Sequence, residues 1–283
     1  MRKLLLTLTM LITYFLCGCG GGGPGGEPAP VTFRTAHANP DDAILAVGDA
    51  YDLRIILNED TNPVTSAAYQ NTQTGDIVAW PGRTRDLGFG TYTAFLAEVA
   101  KYPRMKYIYV YDELDWDGTG FNAKDRTAAL AASQQARAQG LKTVVCYSPW
   151  TILHPSFNLG LSNGFDVIII DLYPNIPPPY VVPDRHGGNP YTNWLDESIR
   201  IIRAGGFTGE IWYAYQAFDV VGNDPVWFNA QLVLQRETIL AAESLGISGI
   251  SPFGMYLGAY QLGHDPYMIP LGNTQPLVIP PGL

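Results

Sequence analysis

Cationic side chains are in short supply in this chain: 17 Lys and Arg stand against 26 Asp and Glu, a net charge of −9. Nucleic acid and anionic surfaces need positive patches, so the balance argues against both as partners. Cysteine is scarce as well. Of the three, Cys17 and Cys19 fall in an N-terminal segment with the layout of an export signal, which leaves Cys146 without an intrachain partner. A disulfide framework is thereby excluded, even in an oxidising compartment. Cys146 sits in an apolar run and reads as a lone buried thiol. The four histidines, His37, His154, His186 and His264, are scattered, with no two at helical ligand spacing. No zinc site is expected from them. No Gly-rich turn opens a helix after the first strand, which argues against a nucleotide-binding open sheet. No Gly-x-Ser-x-Gly elbow occurs, and Ser148 lies between Tyr147 and Pro149, so a serine-hydrolase reading finds little support. No cofactor is expected.

What is present begins at the N-terminus. Met1-Arg2-Lys3 is a short basic start, and Leu4 to Leu16 is apolar apart from Thr7, Thr9 and Thr13. This is the order of a secretory signal, and the run is too short for a membrane span of about 20 residues. Leu16-Cys17-Gly18-Cys19 resembles the lipobox of bacterial lipoproteins. The resemblance implies cleavage after Gly18 and lipidation of Cys19. An ordinary secreted protein with a chance cysteine is the plainer alternative. Residues 20–30 are Gly- and Pro-rich, the composition of a tether. The position after Cys19 is Gly20, not the aspartate that retains many lipoproteins at the inner membrane. The resemblance therefore points to the outer membrane of the cell envelope. Residues 1–18 are read as signal, 19–30 as tether, and 31–283 as one domain with a Pro-rich tail from Gln275 to Leu283. Without Arg2 and Lys3 the net charge of the remainder becomes −11.

In the domain, short apolar runs alternate with amphipathic stretches. Expected strands are Val31–Thr35, Leu53–Leu57, Lys106–Tyr111, Lys142–Tyr147, Phe165–Leu172, Glu210–Tyr215 and Gly249–Phe253, with an eighth at Asp76–Trp80. Several are apolar on both faces, as parallel strands covered on both sides are. Expected helices are Thr91–Lys101, Ala123–Gln139, Asn193–Ala204 and Trp227–Leu245, the last three running into glycine. Eight strand–helix units in about 250 residues suit an α/β fold of the (β/α)8 TIM-barrel type.

In such a barrel chemistry sits at the C-terminal ends of the strands. Carboxylates and aromatic rings crowd those ends here. Side-chain alternation along Lys106–Glu113 groups Glu113 with Tyr107, Tyr109 and Tyr111, on the face opposite Ile108 and Val110. In Phe165–Tyr173, Asp171 shares a face with Val167, Ile169 and Tyr173. Glu113 is the expected general acid and Asp171 its carboxylate partner, a pairing suited to glycosidic hydrolysis. Aromatic rings offer flat apolar area to sugar faces. Asp112, Trp116, Trp150, Tyr173, Tyr215, Gln216 and Tyr256 are the expected substrate contacts, so a poly- or oligosaccharide is the expected partner. The plainer account of these residues is loop-holding and helix-capping for the carboxylates and core filling for the rings. Tyr107, Tyr109, Tyr147, Trp212 and Tyr213, within strands, are read as core. Glu113, Asp115, Asp117 and Gly118 are spaced like the opening of a calcium loop, but its twelfth position is Lys124, which cannot ligate. The loop 174–190 combines Pro177-Pro178-Pro179 with Gly187-Gly188 and reads as a lid or a surface excursion.

Tyr111-Asp112-Glu113-Leu114 resembles the fourth-strand end of the retaining (β/α)8 glycosidases of clan A, where Asn-Glu supplies the acid/base. Phe165-Asp166-Val167-Ile168 through Leu172-Tyr173-Pro174 is similar to an Asp-Val-Ile…Tyr-Pro strand of such enzymes. The seventh strand departs from that pattern. It ends in Gln216 where the clan carries its nucleophilic glutamate, and an amide cannot form the glycosyl ester. Three readings stay open: hydrolysis with Asp171 or Asp219 as partner, a non-catalytic glycan-binding barrel, and a structural envelope lipoprotein.

Overall fold

The computed structural model describes residues 33–38, 53–57, 77–79, 91–116, 121–161, 163–173, 178–216, 234–235 and 237–253. The expected signal, tether and Pro-rich tail lie outside the described residues. Eight strands run in chain order: β1 (Phe33–Ala38), β2 (Leu53–Leu57), β3 (Ile77–Ala79), β4 (Met105–Tyr111), β5 (Lys142–Tyr147), β6 (Val167–Leu172), β7 (Glu210–Gln216) and β8 (Gly249–Phe253). Each pairs in parallel with the next, and β8 returns to pair with β1 at Phe33–Gly249 and Arg34–Ile250. All eight overlap the strands expected from alternation, and β2, β5 and β8 coincide with them.

The helices are α1 (Tyr92–Val99), α2 (Arg126–Ala138), the single turn α3 (Pro149–Ile152) and α4 (Pro190–Ala204). Residues 234–235 and 237–241 are also helical and precede β8, within the expected Trp227–Leu245. Helix α1 starts where the Thr91 side chain accepts from the Ala94 N–H. Helix α2 ends at Gly140, whose φ of 77° is left-handed backbone that glycine adopts without strain. Helix α4 begins three residues before the expected Asn193. Asn189 caps it by accepting from the Tyr191 and Thr192 N–H groups, and Pro190 takes the first position, where no N–H is needed.

The strands sort their side chains into two layers. Ile108, Val110, Val145, Tyr147, Ile168, Ile170, Tyr213 and Tyr215 join the layer that meets the helices. Tyr107, Tyr109, Val144, Cys146, Val167, Ile169, Trp212 and Ala214 form a separate inner cluster. Tyr107 and Trp212 meet edge to face there, with ring centroids 5.5 Å apart. One expected face is wrong. The register of β4 against β5 shifts between Tyr109 and Tyr111. This irregularity turns Tyr111 to the helix layer, where its hydroxyl donates to Asp125 Oδ2 at 2.6 Å. No helix among the described residues is long and apolar enough to cross a membrane.

Candidate functional site

The inner cluster stops short of the C-terminal strand ends and leaves a cavity of about 150 Å³. Its walls come from four adjacent strands and the turns that follow them. Strand β4 supplies Tyr109 and, just beyond it, Asp112 and Glu113. Strand β5 supplies Cys146, β6 supplies Asp171 with Tyr173 after it, and β7 supplies Ala214. Ala214 pairs with Asp171 across the sheet, and its small side chain leaves room beside the carboxyl group.

The segment 112–116 places its residues one by one. Leu114 is fully buried in the helix layer, and its N–H donates to the Cys146 carbonyl at 2.9 Å. Asp115 is buried and receives Arg126 Nε at 2.7 Å. Between these two anchors the chain turns sharply, with left-handed φ at Glu113 (45°) and Asp115 (70°). Non-glycine residues hold such backbone only where the surroundings over-determine it. Here the Leu114 plug and the Asp115–Arg126 ion pair do so, and Asp112 and Glu113 are left on the cavity side. Asp115 is therefore engaged by Arg126, away from the calcium-like role its spacing suggested. Among the described residues no group of three or more His, Cys, Asp or Glu could hold a metal ion.

The electrostatics of the cavity follow from crowding. Asp171 is 7% exposed, and among the described residues its Oδ1 has no hydrogen-bond partner. Burial, followed by the nearby Glu113 and Asp112 charges, holds its pKa well above the usual carboxylate range. Asp171 therefore holds its proton to a higher pH than an exposed carboxylate would. The same field reaches the neighbours. Burial and the Asp112 charge raise Tyr109, whose hydroxyl donates to Asp112 Oδ1 at 3.1 Å. Burial and then the Asp171 and Asp112 charges raise Cys146, and burial and the Asp171 charge raise Tyr173.

Four expected site residues, Glu113, Asp171, Asp112 and Tyr173, meet at this cavity. Two others meet each other. The half-buried rings of Trp116 and Trp150 lie 5.4 Å apart and do not line the cavity. Tyr215 is turned away: it is buried in the helix layer beside Tyr213, because it shares that residue's parity along β7. Gln216 ends β7 by pairing with Phe253, and its side chain, like Tyr256, Asp219 and Cys19, lies outside the described residues. Tyr109, Cys146 and Ala214 were missed as site residues. Each faces inward in its strand, but which inward residue borders a cavity is not written in the local sequence.

No family model matches the chain. No curated protein sequence matches it either. Solved structures do resemble it in fold. A GH2 beta-galacturonidase from Eisenbergiella tayi, bound to galacturonate, is 12% identical with a TM-score of 0.52. That match covers 80% of this chain and 44% of that one, so this chain spans less than half of the longer protein. An endo-1,4-beta-xylanase from Caldicellulosiruptor owensensis is 10% identical with a TM-score of 0.51, covering 78% and 84%. At such identities the likeness is one of fold, and the architecture described here is the one these glycosidases use.

Proposed function

We propose that this chain is an envelope lipoprotein whose complete (β/α)8 barrel hydrolyses a glycosidic bond in a poly- or oligosaccharide. The observation that carries the reading is the meeting of Asp112, Glu113 and Asp171 around one cavity at the ends of β4 and β6. Glycosidic hydrolysis needs one carboxyl group that holds a proton and one that is charged. The residues are those the sequence singled out, with the roles exchanged. Asp171, with its proton retained by burial and by its acidic neighbours, donates to the leaving oxygen. Glu113 completes the step, either by taking a proton from the attacking water or by attacking the anomeric carbon itself. Water is added across the C–O bond in both cases. The glycosidase-like fold supports this reading, as does an acidic chain ill suited to nucleic acid.

Glu113→Gln and Asp171→Asn in the purified full-length protein test the reading against a panel of envelope and plant glycans. Loss of cleavage in both variants is expected, and full retention in either would end it. Lipidation belongs to the same proposal: Cys19 carries the lipid, residues 19–30 tether the barrel, and the outer membrane is its location. Labelling cells with a palmitate analogue checks this, since Cys19→Ala should carry no label. Gln216 favours a second reading, a glycan-binding barrel without turnover. That reading expects saturable glycan binding with no product.

A further inference from the structure

The cavity holds a thiol that hydrolysis as proposed does not use. Cys146 is the last inner-facing residue of β5 and is buried. It pairs across the sheet with Ile169, and Asp171 is the next inward position along β6. Thiol and carboxyl group therefore share one wall of the cavity. The other groups that face Asp171 are Glu113 and Asp112 from the end of β4, Tyr109 from β4 itself and Tyr173 from the end of its own strand. Strand β7 contributes the uncharged Ala214.

The contacts give the pair an order. The Cys146 thiol is hydrogen-bonded to the Asp171 carboxyl group. Asp171 Oδ1 has no partner among the described residues, so that contact falls on Oδ2. Oδ1 is buried in the cavity wall, and buried polar atoms are nearly always paired, so it points to a ligand. The Tyr109 hydroxyl also reaches the sulfur, but its hydrogen is donated to Asp112 Oδ1 at 3.1 Å. The S–H hydrogen is left for the Asp171 carboxyl group. Burial, and then the Asp171 and Asp112 charges, keep that hydrogen on the sulfur. A protonated carboxyl group has one O–H and one carbonyl oxygen, and the oxygen that receives a donor is the carbonyl.

We propose that Cys146 is a positioning residue of this site: its S–H holds Asp171 Oδ2, so that Oδ1 carries the acid proton into the cavity. The inference rests on the hydrolysis reading above and adds to it the group that aims the acid. A thiol is a weak donor. It orients Oδ2 without stabilising the carboxylate enough to strip the proton, as a hydroxyl in its place would tend to do.

The test has two arms. In the first, the S–H stretching band of Cys146, identified by its loss in Cys146→Ala, is followed by infrared spectroscopy against pH in the detergent-solubilised full-length protein. A carboxylate is a stronger acceptor than a carboxyl carbonyl. The band should step to lower frequency as Asp171 loses its proton, and the step should be absent from Asp171→Asn. No step in the wild type, or the same step in Asp171→Asn, overturns the inference. The wild-type measurement stands by itself if the variant does not fold.

The second arm is the pH profile of glycan cleavage. The active form has Asp171 protonated, so the rate falls as pH rises through its pKa. Cys146→Ala removes a donor to the carboxylate and should move that fall to higher pH by about half a unit. Cys146→Ser supplies a stronger donor and should move it to lower pH. Lost packing at Cys146 would not give shifts of opposite sign. Unmoved profiles, or shifts in the same direction, overturn the inference and leave hydrolysis standing. Should no glycan be cleaved, the hydrolysis reading fails, and the infrared step decides whether Cys146 holds Asp171.

Discussion

Asp166 and Asp171 stand at opposite ends of β6, and their carboxyl groups have opposite surroundings. At the N-terminal end, Asp166 accepts from Arg137 Nε and Nη2 at 3.1 and 2.9 Å, and from Thr143 N and Oγ1 at 2.8 and 2.9 Å. Partial burial alone would raise its pKa, but the Arg137 and Thr143 donors outweigh that and hold it below the usual range. At the C-terminal end, Asp171 is more deeply buried, has an oxygen without a partner among the described residues, and faces two further carboxylates. The first arrangement fastens β5, β6 and α2 together. The second keeps a proton in an open cavity. The same residue type ties elements together where donors surround it and has a raised pKa where burial and like charges dominate.

The largest expected effect separates these two ends. Asp171→Asn should lower glycan cleavage by about 10²–10⁴-fold, the usual contribution of a general acid, without lowering Tm. Asp166→Asn should leave kcat within a few-fold. Equal losses of activity in the two would break the comparison.

A third carboxylate sharpens it. Asp115 is as buried as Asp171 but is paired with Arg126 at 2.7 Å. Arg126→Ala leaves that charge alone inside the protein, and a loss of about 3–5 kcal/mol in urea unfolding is expected. Because Asp115 holds the turn at Glu113, kcat should fall as well. Unchanged stability would mean that the pair is not what keeps the turn in place. A smaller effect is expected at Asp166, which is only partly buried. Asp166→Ala should cost about 1–3 kcal/mol through its lost charge-assisted hydrogen bonds, discounted for solvent screening. Thermal melts would show it with KM unaffected.

The subtlest prediction concerns pH. The folded pKa of Asp171 lies above its unfolded value of about 3.9. Its contribution to stability is therefore full below that value and is lost as pH rises through the folded pKa. Asp166 has the opposite sign: its contribution is present above about pH 3.9 and is lost as pH falls through its depressed folded pKa. Melting curves of Asp171→Asn should thus gain on the wild type as pH rises from 4 to 8. Those of Asp166→Asn should approach the wild type as pH falls below 4. Parallel curves for the two variants would remove the electrostatic contrast.

Much of this was legible before any coordinates. Strand positions followed from apolar runs, since a parallel sheet covered on both sides must be apolar on both faces. Glu113, Asp112, Asp171 and Tyr173 followed from the rule that places chemistry at strand ends. The errors have local causes. Alternation put Tyr111 on the inner face, and a register irregularity in β4 turned it out. Tyr215 was read as a strand-end aromatic, and the structure places it with Tyr213 in the helix layer. Tyr109 and Cys146 were read as filler because a residue's distance from a cavity is not written in its neighbours along the chain.

What the sequence by itself determined is the set of carboxyl groups, the deficit of positive charge and the alternating pattern that makes strands. Those depend on residue type and on local periodicity, and both can be read along one dimension. Which carboxyl group keeps its proton was decided only by tertiary structure. The pKa of Asp171 depends on burial by neighbouring strands and on charges brought from β4, nearly sixty residues away in the chain. Asp166, immediately before the same strand, owes its opposite character to donors from α2 and β5. The protonation of a carboxyl group is set by what folds around it, and that is a property of three dimensions.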